Sequence, residues 1–142
     1  MPVKTIRRLT REFIRSHPDA LFLFGDNEAR EGFGGQAKEA RGEPNAVGVR
    51  TKAEPSNRAS AFWREEDHDR QARLIDEDLA PAFDAVRAGR TVFVPADGLG
   101  TGRAGLPERA PSTHRHAKKR LAELRRAASP DPAGQLSPGW NF

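Results

Sequence analysis

The 142 residues carry 24 Lys and Arg against 20 Asp and Glu, a net charge of +4, and 36% of them are hydrophobic. A chain of this size forms one compact core, and its composition excludes the low-hydrophobicity, high-net-charge class of disordered chains. No stretch approaches 18 consecutive apolar residues, the first ten residues hold no apolar signal core, and there is no cysteine; a soluble, cytoplasmic domain with no membrane partner and no disulfide or thiol chemistry is expected.

Val3 to Ile6 predicts a short strand, and Thr10 an N-cap for a helix through Ser16, stopped by His17-Pro18. Ala20 to Phe24 (ALFLF) is an apolar run of strand length, the kind buried inside a parallel sheet. It leads into Gly25-Asp26-Asn27 and a glycine-dense stretch at Gly32, Gly34 and Gly35, beyond which Gln36 to Arg41 reads as a helix. Residues 42–45 have turn composition, Ala46 to Arg50 predicts a strand, and Ala53 to Ser60 reads as a loop. A long helix is expected from about Asp67 to Ala88, with Leu74, Ile75, Leu79, Phe83 and Val86 at helical spacing and Gly89 just past its end. Pro81 is expected to kink or break it.

Thr91 to Pro95 (TVFVP) predicts a further strand, followed at once by a second glycine-dense loop from Asp97 to Gly105. Ser112 or Thr113 is placed to cap a last helix reaching about Ala127. Residues 114–142 hold Arg115, Lys118, Lys119, Arg120, Arg125 and Arg126 against Glu123 and Asp131, an excess equal to the whole net charge. That basic helix suits either a solvated face or a phosphate-rich partner. Residues 128–142 read as a flexible tail rich in Pro, Gly and Ser, leaving 1–127 as the folded domain.

Strands alternating with helices predict an α/β fold: a single-domain three-layer sandwich with a mixed or mainly parallel sheet and helices on both faces. Ligands of such sheets bind at the carboxyl ends of the strands, and both glycine-dense loops fall there. Glycine lets main-chain N–H groups approach an anion, so two such loops on one sheet can grip the two phosphates of a diphosphate linking two ribosides. A P-loop needs Lys followed by Ser or Thr after its glycines, which neither loop has. Gly32-Phe33-Gly34-Gly35 also lacks the spacing of a dinucleotide fingerprint. If the second loop holds phosphate by its backbone, Gly100→Val is expected to abolish binding and leave the fold intact.

Phe-Gly-Asp-Asn at 24–27, Gly-Phe-Gly-Gly at 32–35, Val-Arg-Thr-Lys at 49–52, and Pro95-Ala96 followed by Gly-Leu-Gly-Thr-Gly at 98–102 together resemble a macrodomain. Macrodomains are α/β domains that bind ADP-ribose, and some hydrolyse ADP-ribose linkages. The likeness runs from about Leu21 to Glu108, and is greatest to the branch of terminal ADP-ribose glycohydrolase and the antitoxin that strips ADP-ribose from DNA. The resemblance implies a catalytic role for Lys52 and a ribose-orienting role for Asn27. It implies a ligand-binding surface from Gly25, Asn27, Gly32, Phe33, Gly34, Gly35, Gln36, Thr51, Gly98, Leu99, Gly100, Thr101 and Gly102. Two departures stand out: Ala104 occupies the place of an aspartate in that branch, and Gln36-Ala37 that of an aspartate in another.

The residues themselves allow chemistry in the same place. A partly desolvated Lys52 can attack the C1″ carbon of a ribose or contact its oxygens; alternatively it is a surface lysine paired with Glu54 or a phosphate. Asp26 and Asp97, each at a strand end, are candidates to orient an adenine or ribose and to serve as general base on water, or are turn formers. Phe33 and Phe62-Trp63 offer stacking surfaces for a purine, or pack in the core. His68, His114 and His116 have no metal-ligand spacing, so no metal or other cofactor is expected. Two functions fit: a hydrolase removing ADP-ribose from a protein, DNA or RNA, and a non-catalytic reader of ADP-ribose or a related nucleotide. A nucleic-acid binder acting through the last helix is a third class, with no base-reading motif beside it. The oligomeric state is left open.

Overall fold

The computed structural model describes residues 3–128. Four strands, β1 (Val3–Ile6), β2 (Leu21–Asn27), β3 (Ala46–Lys52) and β4 (Val92–Pro95), form one sheet in the order β1-β4-β2-β3. Every pairing is parallel, so each connection is a crossover and the sheet needs cover on both faces. Helices α1 (Arg11–Ser16) and α2 (Ala37–Ala40) lie over one face; α3 (His68–Arg87), the short α4 (Leu106–Arg109) and α5 (Pro111–Ala128) lie over the other. The protein is a three-layer α/β sandwich.

Alternation along the strands divides the core between those layers. Leu21 and Leu23 of β2 and Val92 and Val94 of β4 join Ile75, Leu79, Leu106, Leu121 and Leu124 beneath α3 and α5. Phe22, Phe24 and Phe93 point the other way, toward Ile14, Ala37 and Ala40. Phe22 and Phe93 stack there with ring centroids 4.7 Å apart. Both faces of β2 are therefore apolar, which is why residues 20–24 read as a continuous run.

The elements follow the expected order with shifted ends. β2 continues through Gly25, Asp26 and Asn27, and β3 continues through Thr51 and Lys52, so the motif residues stand on strands rather than just beyond them. Thr10 caps α1 by accepting from the Phe13 N–H at 3.1 Å. α3 runs unbroken through Pro81: the residue is exposed, as is Glu77, whose carbonyl loses its helical donor to the ring and stays within reach of water. α5 starts at Pro111, and neither Ser112 nor Thr113 caps it. Instead the buried Thr113 hydroxyl donates to Gln71 Oε1, and Ser112 meets the Glu65 carboxylate. α4 is an element that local patterning did not reveal. Of the expected tail, only Ala128 lies among the described residues, and it ends α5.

Candidate functional site

A cleft of about 730 Å³ opens at the carboxyl ends of β2, β3 and β4. Its walls are the loop through Gly32–Gly35 and the loop through Gly98–Gly102, which converge as their positions after two apolar strands predicted. Arg103 of the second loop lies against the first: a Cβ on Gly34 would come within 2.8 Å of its Nη1. Of the residues named for the site from the sequence, all line this cleft except Leu99 and the stacking candidates Phe62 and Trp63. The Leu99 side chain is buried in the core beneath α3 and α5, because an apolar side chain between two half-buried glycines gains most by turning inward.

The two loops present donors. The main-chain N–H groups of Gly32, Phe33, Gly34 and Gly35, and those of Gly100, Thr101 and Gly102, donate to no other group among the described residues. Gly100 adopts φ +80°, and a Cβ there would lie 2.8 Å from Leu106 Cγ and closer still to Cδ1. The position therefore requires glycine for the fold itself, and a valine at this point could not leave the fold intact.

Beneath the first loop sits a group of charges. Asp26, 6% exposed, accepts from Arg41 Nη2 at 2.6 Å, from Arg30 Nη1 at 3.0 Å and from the Asn27 N–H at 2.8 Å. Burial alone would raise its pKa; the hydrogen bonds from Arg41, Asn27 and Arg30 outweigh that and hold the carboxyl below the usual range. A carboxylate so held is kept in its ionised form by two arginines and a main-chain N–H. Arg30 adopts the left-handed backbone at φ 56° and bridges Asp26 to Asp78 of α3 at 2.7 Å. Gly48 of β3 lets this carboxylate pack against the strand, since a Cβ there would come within 2.9 Å of Asp26 Cγ.

Asn27, also 6% exposed, donates its Nδ2 to the Glu31 carbonyl at 2.9 Å. Its Oδ1 is buried and has no partner among the described residues. Such an acceptor costs roughly 1–3 kcal/mol unless something donates to it. Gln36 Oε1 accepts from the Gly25 N–H at 3.0 Å and ties the first loop to the end of β2.

Lys52 is the register partner of Asn27, across a bulge that leaves Thr51 as an extra residue in β3. The bulge lets successive residues Thr51 and Lys52 both reach the cleft. Lys52 Nζ donates to the Ser56 carbonyl at 3.0 Å and lies 4.4 Å from the Phe62 ring centroid. Glu54 pairs with Arg58 instead. Burial, helped by the charges of Arg103 and Arg109 and opposed by Glu54, lowers the Lys52 pKa.

Asp97 lies exposed on the rim, its carbonyl accepting from the Thr101 hydroxyl at 2.9 Å. Ala104 lines the cleft as a methyl group where a carboxylate would otherwise reach it. Of the aromatic candidates only Phe33 lines the cleft, 65% exposed. Phe62 instead carries Lys52 and Arg109 over its ring, and Trp63 is a core residue donating Nε1 to Glu28 at 2.7 Å. Among the described residues no group of three or more potential metal ligands exists, and His116 pairs with Asp76 at 2.8 Å between α5 and α3. Sequence reasoning missed Arg41, Arg103 and the Arg30–Asp78 bridge. Arg103 follows the second glycine loop directly and was open to notice; the others carry no local signal.

A family described as a family of unknown function (DUF7831) matches residues 4–120. The chain belongs to this family. The matched span takes in both glycine loops, Lys52 and the start of α5. No curated protein and no solved structure matches the chain. No helix among the described residues is long and apolar enough to cross a membrane.

Proposed function

We propose that this protein binds ADP-ribose, or a closely related nucleotide, in the cleft and removes ADP-ribose from a protein or nucleic-acid conjugate. The observation that carries the reading is Asn27, a cleft residue whose buried Oδ1 has no donor among the described residues, in a cleft walled by N–H groups that likewise have no partner among them. A ribose hydroxyl supplies the missing donor, and a diphosphate supplies the acceptors that the two loops lack. The exposed Phe33 offers a purine an apolar face. The macrodomain resemblance of the same motifs supports the same ligand.

Lys52 supports turnover. It lacks a carboxylate partner among the described residues, its pKa is lowered, and it neighbours Asn27 across the strand pair. Once its proton is lost to water, the Lys52 amine attacks C1″, a bond forms from Nζ to that carbon, and the bond to the conjugated group breaks as that group leaves with a proton from Nζ. Water then releases ADP-ribose and restores the lysine. A second reading, a non-catalytic reader, is favoured by Ala104 and by the tying of Asp26 to two arginines.

Titration calorimetry with ADP-ribose, and with Asn27→Ala beside the parent, tests binding. Asn27→Ala is expected to weaken affinity by about tenfold, the scale of one hydrogen bond made by a buried acceptor. No heat of binding to the parent protein refutes the nucleotide reading. Incubation with ADP-ribosylated protein, DNA and RNA then separates hydrolase from reader by whether ADP-ribose is released.

A further inference from the structure

Arg41 belongs to none of the motifs that mark the cleft, yet its guanidinium occupies the turn beneath the first glycine loop. Nε donates to the Gly32 carbonyl at 2.7 Å, and Nη2 donates to the Glu31 carbonyl at 3.1 Å. The same group holds the Asp26 carboxylate at 2.6 and 3.3 Å. Its side chain is 16% exposed and that of Asp26 only 2%, so the fork is fixed from below by a buried anion that Arg30 and the Asn27 N–H fix in turn.

The consequence lies in peptide geometry. No cis bond occurs among the described residues, and in a trans peptide the C=O and the following N–H point in opposite directions. Carbonyls of Glu31 and Gly32 drawn onto Arg41 therefore turn the N–H groups of Gly32 and Phe33 away from it. Those two N–H groups have no partner among the described residues, and both residues line the cleft. Asn27 Nδ2 shares the Glu31 carbonyl, so the same fixed peptide also sets which way the orphan Oδ1 points.

We infer that Arg41, anchored by Asp26, is a positioning residue for anion binding: it aims the Gly32 and Phe33 N–H donors at a phosphate of the ligand. Its charge is spent on Asp26, so it acts through the fork of its donors; Arg103, which also lines the cleft, supplies charge. Lysine carries the same charge but cannot span one carboxylate and two carbonyls. The inference rests on the reading that the cleft holds a diphosphate.

The test compares the parent protein with Arg41→Ala and Arg41→Lys, using ADP-ribose and inorganic pyrophosphate as separate probes and a ligand-free thermal melt for each variant. Both variants are expected to lose tenfold or more in affinity for either probe, with lysine rescuing little of it. Affinity of Arg41→Lys within twofold of the parent would show that charge suffices and overturn the assignment. In the parent protein, amide NMR shifts of Gly32 and Phe33 are expected to move on adding pyrophosphate; if only the Gly100–Gly102 amides move, the assignment also fails. This second measurement stands even if the variants do not fold. Pyrophosphate binding that depends on Arg41, without ADP-ribose binding, overturns the nucleotide reading and keeps the positioning role; no binding of either probe overturns both.

Discussion

Gly100 and Gly102 sit two residues apart in one loop, and the structure separates what each does. A side chain at Gly100 meets two penalties. The left-handed backbone at φ +80° costs an L-residue about 1–2 kcal/mol. Its Cβ would also be driven against Leu106, a fully buried core residue 2.8 Å away at Cγ, and overpacking of that kind costs about 1–3 kcal/mol. Gly100→Ala should therefore lose about 2–5 kcal/mol, a large share of the roughly 5–15 kcal/mol that holds a domain together. For a domain of this size the melting temperature falls by on the order of 10 °C. A Cβ on Gly102 would meet no atom within 4 Å, and the backbone there is not left-handed. Gly102→Val should melt within about 0.5 kcal/mol of the parent, the range of ordinary surface changes. It would nevertheless add bulk to the cleft wall, where the Gly100, Thr101 and Gly102 N–H groups have no partner among the described residues. Losing one charge-assisted hydrogen bond to phosphate, about 1.5–3 kcal/mol, weakens ADP-ribose binding by about tenfold to a hundredfold. Thermal melts and calorimetry on both variants measure the two effects independently. A Gly100→Ala protein that melts with the parent refutes the packing argument, and undiminished affinity in Gly102→Val refutes backbone capture of the ligand.

Lys52→Ala is expected to slow release of ADP-ribose from a conjugate by at least about 100-fold, the scale of losing a positioned catalytic group, while binding of free ADP-ribose changes far less. Turnover at saturating substrate that survives the change, with only a modest, salt-sensitive loss of affinity, would make Lys52 a phosphate contact instead. The depressed pKa of Asp26 has a signed consequence for stability. Its carboxylate favours the folded state above about pH 4, and that contribution fades as pH falls through the lower folded-state pKa. Urea midpoints measured down the acid range should therefore show the gap between the parent and Asp26→Asn narrowing below about pH 4; parallel curves would mean that the Arg41 and Arg30 contacts do not stabilise the ionised form.

The location of the cleft was legible in local pattern. Apolar runs at 20–24 and 91–95 read as buried strands, and the glycine-dense stretches that follow them were expected at the carboxyl ends of a mixed or mainly parallel sheet. Period-two and period-3.6 patterns are set by neighbours a few residues apart, so they survive in a bare sequence. Helix α3 shows the limit of such reasoning: Pro81 reads as a break in sequence, yet the helix passes through it because that turn faces water. The orientation of side chains around the cleft belonged to the tertiary structure. Leu99 turned inward and Trp63 joined the core because crossovers brought α3, α4 and α5 over that face. Asp26, a plausible base in isolation, became an anchored anion once Arg30 and Arg41 arrived from 4 and 15 residues away. The bridge from Arg30 to Asp78 spans 48 residues, and Gly48 matters only because the Asp26 carboxylate packs on it. Contacts of that reach depend on how the chain crosses between strands, and no periodicity records them.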